Sequence, residues 1–228
     1  MQSLNLIQRI AVYALPLLLA LTVREMARGR AAYWLGDRTG AQLGRLSLNP
    51  MAHVDPVGTI AIPALMLVMS SNGLGGFLLG WPRLIPIDLS QLSHPKRDMG
   101  LIALAGLASN LVMLIAWAFL LKLALAMNPH EGLWLGVGSM ALAGVTLNAG
   151  FFVLNLLPIP PCDGGRLLVS ILPMGLARQL ASLERYSFLI LIGLMVTNLL
   201  RYLIVPPMIL LVAVVFASLS INPSSILS

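Results

Sequence analysis

Charge is what this sequence has least of. Charged residues make up 10% of its 228 positions, against roughly 25% in an ordinary soluble domain. Fourteen basic and eight acidic side chains cannot cover a soluble fold of this size. With 58% apolar residues and a mean hydropathy of +0.91, the chain reads as a multi-span membrane protein. Cysteine occurs once, as Cys162, which excludes an internal disulfide and any cysteine-rich metal cage. Of the three histidines, His53, His94 and His130, no two are three or four apart, so no helical histidine pair can hold a metal. A phosphate-binding Gly-Lys-Ser/Thr motif, a Ser-His-Asp set and a haem motif are all missing, as is any internal repeat of the transporter kind. No basic segment with a small-x-small cleavage site opens the chain, so its N-terminus is expected to stay on the mature protein. The net charge of +6 would suggest nucleic acid in a soluble protein. Here the basic residues lie between apolar runs, where they orient spans against the membrane potential and anionic lipid, and nucleic-acid binding is excluded.

The apolar runs predict five or six spans in one polytopic membrane domain, residues 1–228. Residues 4–23 are twenty long with one charge, Arg9, enough to cross a bilayer, and lead into Arg24-Glu25-Met26-Ala27-Arg28-Gly29-Arg30. Residues 36–55 are mixed and cannot span. Val57 to Met69 is short for a span and predicts a broken, tilted or re-entrant segment. In the loop that follows, residues 83–88 could pair as a short strand. Residues 99–127 and 133–157 are long and apolar, and the first of these carries Gly106, Ser109 and Asn110 as helix–helix contacts. The last block, 187–219, is interrupted by Arg201 and by Pro206-Pro207, which predicts two short helices. If the spans alternate simply, the N-terminus shares a side with the 81–98 and 161–186 loops. That side holds Arg9, Arg83, Lys96, Arg97, Arg166, Arg178 and Arg185, and would be cytoplasmic.

Three segments resemble those of one family. "GDRTGAQLGRLSLNPMAHVDPVGTIAIP" (36–63), "GW" with "HPKRDMGLIALAGLASNL" (80–81 and 94–111) and "NLLPIPPCDGGRLL" (155–168) are similar, in order, to the core of bacterial site-2 proteases, the intramembrane zinc metalloproteases. The resemblance implies an all-α membrane fold with a core at about 5–170, C-terminal helices at 187–220, and short strand-like or re-entrant loops. It also implies a bacterial inner-membrane location and a membrane-protein segment as substrate or client. In that family a His-Glu-x-x-His helix precedes a segment like "AYWLGD". The corresponding residues are Arg24-Glu25-Met26-Ala27-Arg28, with arginine at both histidine positions. Glu25 matches the general base, Asp163 the third zinc ligand, and Asn155 a contact to substrate or a developing oxyanion. Pro158 and Pro160 match the extended stretch beside the substrate.

A guanidinium has no free lone pair and does not deprotonate, so it cannot replace imidazole on zinc. Four residues apart, Arg24 and Arg28 share one helical face, which would set two fixed positive charges where the cation belongs. If the family's geometry holds, Arg24, Arg28, Glu25 and Asp163 converge as a salt-bridged plug, one of few ways to keep such charges in a span. Read locally, the same segment is a basic cluster at a span's end, with arginines snorkelling to the interface. Asn155, Pro158 and Pro160 read locally as a helix ended by prolines, and Asp163 before Gly164-Gly165 as a helix N-cap. A substitute zinc site from His53, Cys162 and Asp163 is disfavoured, since two of its ligands are sequence neighbours. The expectation is a site-2-protease-like protein without zinc, still able to bind or regulate membrane-protein segments. Its rivals are an active zinc metalloendopeptidase and a transporter or channel.

Overall fold

A computed structural model describes residues 6–62, 64, 65, 82–127, 132–159 and 162–222. Among these residues the chain is helical and no strand forms. The elements are α1 (Leu6–Trp34), α2 (Thr39–Gln42), α3 (Pro95–Ala126), α4 (Gly132–Leu156), α5 (Asp163–Ile171), α6 (Met174–Ser182), α7 (Ser187–Val196) and α8 (Leu199–Ser218). Four of them, α1, α3, α4 and α8, are long and apolar enough to cross a membrane. The expected further segment at 57–69 is described only at 57–62, 64 and 65. Its start is visible as a π-helical turn, Pro56–Ala61, whose first amides, Val57 and Gly58, donate to the Asp55 carboxylate.

The long helices pack as an antiparallel series. Ala32 sits with Ile102 and Leu92, the Arg28 stem lies beside Gly106, and Leu19 packs where Leu114 and Trp117 meet Ala141 and Val145. Helix α1 therefore runs against α3. Leu17, Ala20 and Leu21 pack on Leu147 and Phe151, so α1 and α4 run the same way. Val153 meets Leu200 and Ile204, while Val215 and Phe216 meet the Ala141 region, which makes α8 antiparallel to α4. Apolar side chains line most of each seam, and the large apolar residues left exposed, such as Val112, Phe119, Ile209 and Leu210, are those expected to face lipid.

Three expectations are corrected. The N-terminal end of α1 lies opposite the 82–98 and 162–186 segments, because the end of α1 and the start of α3 pack together. Simple alternation put those segments on the N-terminal side, and the antiparallel packing of α1 against α3 does not allow that. Residues 83–88 form no strand and join no ladder. Their amides are taken by other groups: Arg83 donates to the His53 carbonyl at 2.8 Å, Ile85 to Glu25 at 3.2 Å and Asp88 to Asp37 at 3.0 Å. The C-terminal block does break into two helices, but not at the prolines. The break is at Asn198, which adopts φ 57°, a left-handed conformation that asparagine tolerates and that ends α7. Pro206 and Pro207 lie inside α8.

Candidate functional site

Helix α1 does not stop where its apolar run stops. It continues through the charged segment, so Arg24, Glu25 and Arg28 project from a helix already committed to the bundle. Arg24 is 7% exposed, Arg28 3%, Glu25 0% and Asp163 1%. The snorkelling alternative is thereby excluded for these two arginines, whereas Arg30, two residues on, is exposed.

Arg24 is the hub. Its Nη2 donates to Asp163 Oδ2 at 2.6 Å and to Asn155 Oδ1 at 2.7 Å, and its Nη1 donates to Glu25 Oε1 at 3.0 Å. Arg28 Nη1 donates to both Glu25 oxygens, at 3.0 and 3.3 Å, and its Nε stands 3.6 Å from Asp163 Oδ1. Two guanidinium groups and two carboxylates thus form one neutral, buried set. Asn155 is fixed in turn by donating its Nδ2 to the Phe151 carbonyl one turn back, at 2.8 Å. That bond aims Oδ1 at Arg24.

Asp163 reaches the set because α5 begins at it. Cys162 is the residue before the helix and Asp163 its first residue, with no side chain capping, so the expected N-cap role of Asp163 is not what the carboxylate does. An acidic residue in a helix's first turn gains from the helix dipole all the same. Gly106 makes the approach possible: a Cβ there would stand 2.9 Å from Asp163 Oδ2 and 3.0 Å from the Arg28 stem. Sequence reasoning missed two members of the set, Asn155 as a partner of Arg24 and the Ile85 amide on Glu25. A backbone donor has no side-chain signature, and only the proline-flanked "RLIPID" hinted at a free amide.

Of the remaining expected residues, Pro158 is exposed in the turn after α4, and Pro160 lies outside the described residues. His53 is buried and its Nε2 lies 2.8 Å from the Ser47 carbonyl. His94 is exposed at the start of α3. Among the described residues no group of three His, Cys, Asp or Glu side chains converges to hold a metal, so the His53, Cys162 and Asp163 combination is not assembled. The donor set present does not fit zinc. Its two carboxylates are each bonded to guanidinium, and no imidazole or thiolate joins them. A cleft of about 460 Å³ borders the cluster, lined by Arg28, Ile85, Ile87, Met99, Arg166 and Glu184 among others.

Cys162 is buried next to this set, and burial, together with the Asp163 charge, pushes its thiol up to about 11. Against an ordinary thiol near 9, the thiolate fraction at pH 8 falls roughly a hundredfold. Native protein should therefore alkylate far more slowly than denatured protein at that pH. Equal rates by mass spectrometry would show that Cys162 is open to water.

No protein-family model matches the chain, and no solved structure does. Its relatives are more informative. Over 192 residues, 83% of the chain and 82% of the relative, it is 35% identical to the Bacillus subtilis protein named "Putative zinc metalloprotease YwhC". It is 30% identical over 182 residues to the protein of Mycolicibacterium smegmatis named "Putative zinc metalloprotease Rip2", and 29% identical over 178 residues to Rip2 of Mycobacterium tuberculosis. The chain spans 64% and 63% of the length of those two Rip2 proteins. By its match to YwhC, the chain belongs to this zinc metalloprotease family, consistent with the site-2 protease resemblance of its motifs. The apolar helices and this membership together define a membrane protein.

Proposed function

We propose that this chain is a site-2-protease-like protein of the bacterial inner membrane that has exchanged its metal for a salt-bridged plug, and that it binds or regulates membrane-protein segments without hydrolysing them through zinc. On this reading Arg24 and Arg28 stand at the family's two histidine positions, Glu25 at the general base and Asp163 at the third ligand. One observation carries it: Arg24 Nη2 lies 2.6 Å from Asp163 and 2.7 Å from Asn155, in the space a metal would need. Two buried guanidinium groups repel a divalent cation and hold both carboxylates that could attract it. The cleft beside Arg28, walled on one side by residues 84–87, supports retention of a client site.

The charged loops support an orientation. Arg38, Arg45, Arg83, Arg97, Arg178 and Arg185 all lie in the segments that cap the cluster's end of the bundle. The positive-inside rule makes that end cytoplasmic. The names of the relatives favour a second reading, an active metallopeptidase. Metal content separates the two. Protein purified in detergent should contain far less than one zinc per chain by elemental analysis. Stoichiometric zinc that survives dialysis and disappears in Asp163→Ala would overturn the proposal.

A further inference from the structure

Among the described residues, eight buried side-chain nitrogen or oxygen atoms find no hydrogen-bond partner. One is His53 Nδ1. The other seven are Arg24 Nε, Arg28 Nε and Asp163 Oδ1 of the charge cluster (the last two an ion pair at 3.6 Å), both Nδ2 and Oδ1 of Asn110, Asn148 Oδ1 and Trp117 Nε1. Buried polar atoms are normally satisfied, and a concentration of exceptions calls for a missing partner.

Their places in the fold line up. On α3, Gly106, Asn110 and Trp117 fall on one stripe, four and eleven residues along the helix. On α4, Gly144, Asn148 and Asn155 repeat the same spacing. Helices α3 and α4 are antiparallel, and Trp117 lies against Gly144, where a Cβ would collide with the indole ring. Gly106 touches Asp163, and Asn155 bonds Arg24 at 2.7 Å, so the other ends of both stripes meet at the charge cluster. At 1.5 Å rise per residue, Asn148 stands about 6 Å along the seam from Trp117 and Asn110 about 10 Å, with Gly106 about 6 Å further. These steps are close to the span of a single water that bridges two polar groups.

Asn110 is 1% exposed and Asn148 0%. Asn148 donates its Nδ2 to the Gly144 carbonyl at 2.8 Å, leaving its oxygen as an acceptor, while the Asn110 amide offers donors and an acceptor together. A cation is a poor occupant of a seam that ends on two arginines, because they repel it. Water can donate and accept at each step.

We infer that the α3–α4 seam holds a file of ordered water, running from the Arg24–Arg28–Asp163 cluster past Asn110 and Asn148 to the Trp117 indole. The file is independent of the functional reading above. It hydrates the cluster from inside the bundle.

X-ray radiolysis tests this, because a bound water struck by the beam yields hydroxyl radicals that oxidise the side chains around it. Intact protein in detergent is pulsed and its peptides analysed by mass spectrometry, with exposed Trp34 as the reporter of bulk water. Trp117 should be oxidised despite its burial. Asn110→Leu and, separately, Asn148→Leu should each cut that oxidation about tenfold, toward the rate of a dry buried ring, and leave Trp34 unchanged. Two outcomes overturn the inference: Trp117 unlabelled in the wild type while Trp34 is labelled, or Trp117 labelled equally in the wild type and in whichever variant elutes as a folded monodisperse species. The wild-type measurement stands even if neither variant folds.

Discussion

Asp163→Ala should lower the melting temperature in detergent by roughly 6–20 °C. Removing one member of a buried ion pair typically costs about 3–5 kcal/mol, because the partner stays charged and buried, and each kcal/mol shifts a domain of 150–250 residues by about 2–4 °C. The loss falls on Arg24, whose Nη2 would keep only Asn155, and on Arg28, whose Nε would face nothing charged. A second variant makes the effect specific. Arg24→Met combined with Asp163→Leu removes both charges, and an apolar replacement of a whole pair is often neutral. The double variant should therefore melt above Asp163→Ala alone. A melting point that Asp163→Ala leaves within about 2 °C of wild type, less than one kcal/mol, would mean the ion pairs contribute little to stability.

The second large effect is a gain. Arg24→His with Arg28→His places two imidazoles one turn apart, beside Glu25 and within reach of Asp163, the donor types zinc prefers. The double variant should bind zinc near one equivalent, measurable by elemental analysis and by titration with a chromophoric chelator. Each single variant should bind far less, since one guanidinium would still oppose the cation. Recovery of peptide cleavage is the smaller expectation. Groups that orient ligating imidazoles typically contribute 10–100-fold, and nothing preserves them where arginines stand. A folded double variant that stays metal-free would show that positions 24, 28 and 163 cannot share one ion.

Much of this arrangement was legible in the chain. The pairing of Arg24 and Arg28 follows from helical spacing and the meeting with Asp163 from motif order, whereas Asn155, expected to contact substrate, bonds Arg24 instead. Physical limits explain what was not. Charge order could not reveal that the N-terminus lies opposite the 82–98 loop, because that turns on the path of 57–81, where hydropathy and glycine content conflict. Prolines at 206 and 207 suggested a break, yet in an apolar bundle neighbouring helices can satisfy the carbonyls that proline frees. The break went to Asn198, where one side chain tolerates a left-handed backbone. The expected strand at 83–88 does not form. Its amides meet carboxylates on α1 and just beyond it, and a strand propensity carries no information about those.

The four charges of the cluster are not made together. Helix α1 brings two positive groups and one negative, an excess of one positive charge, and Asp163 follows Arg24 by 139 residues. At about 5–20 residues per second, the ribosome reaches it roughly 7–28 s later. Through that interval α1 sits at the membrane as an unbalanced helix and cannot take its final depth without a cost. The cluster becomes neutral only when α5 docks, so assembly has a built-in order.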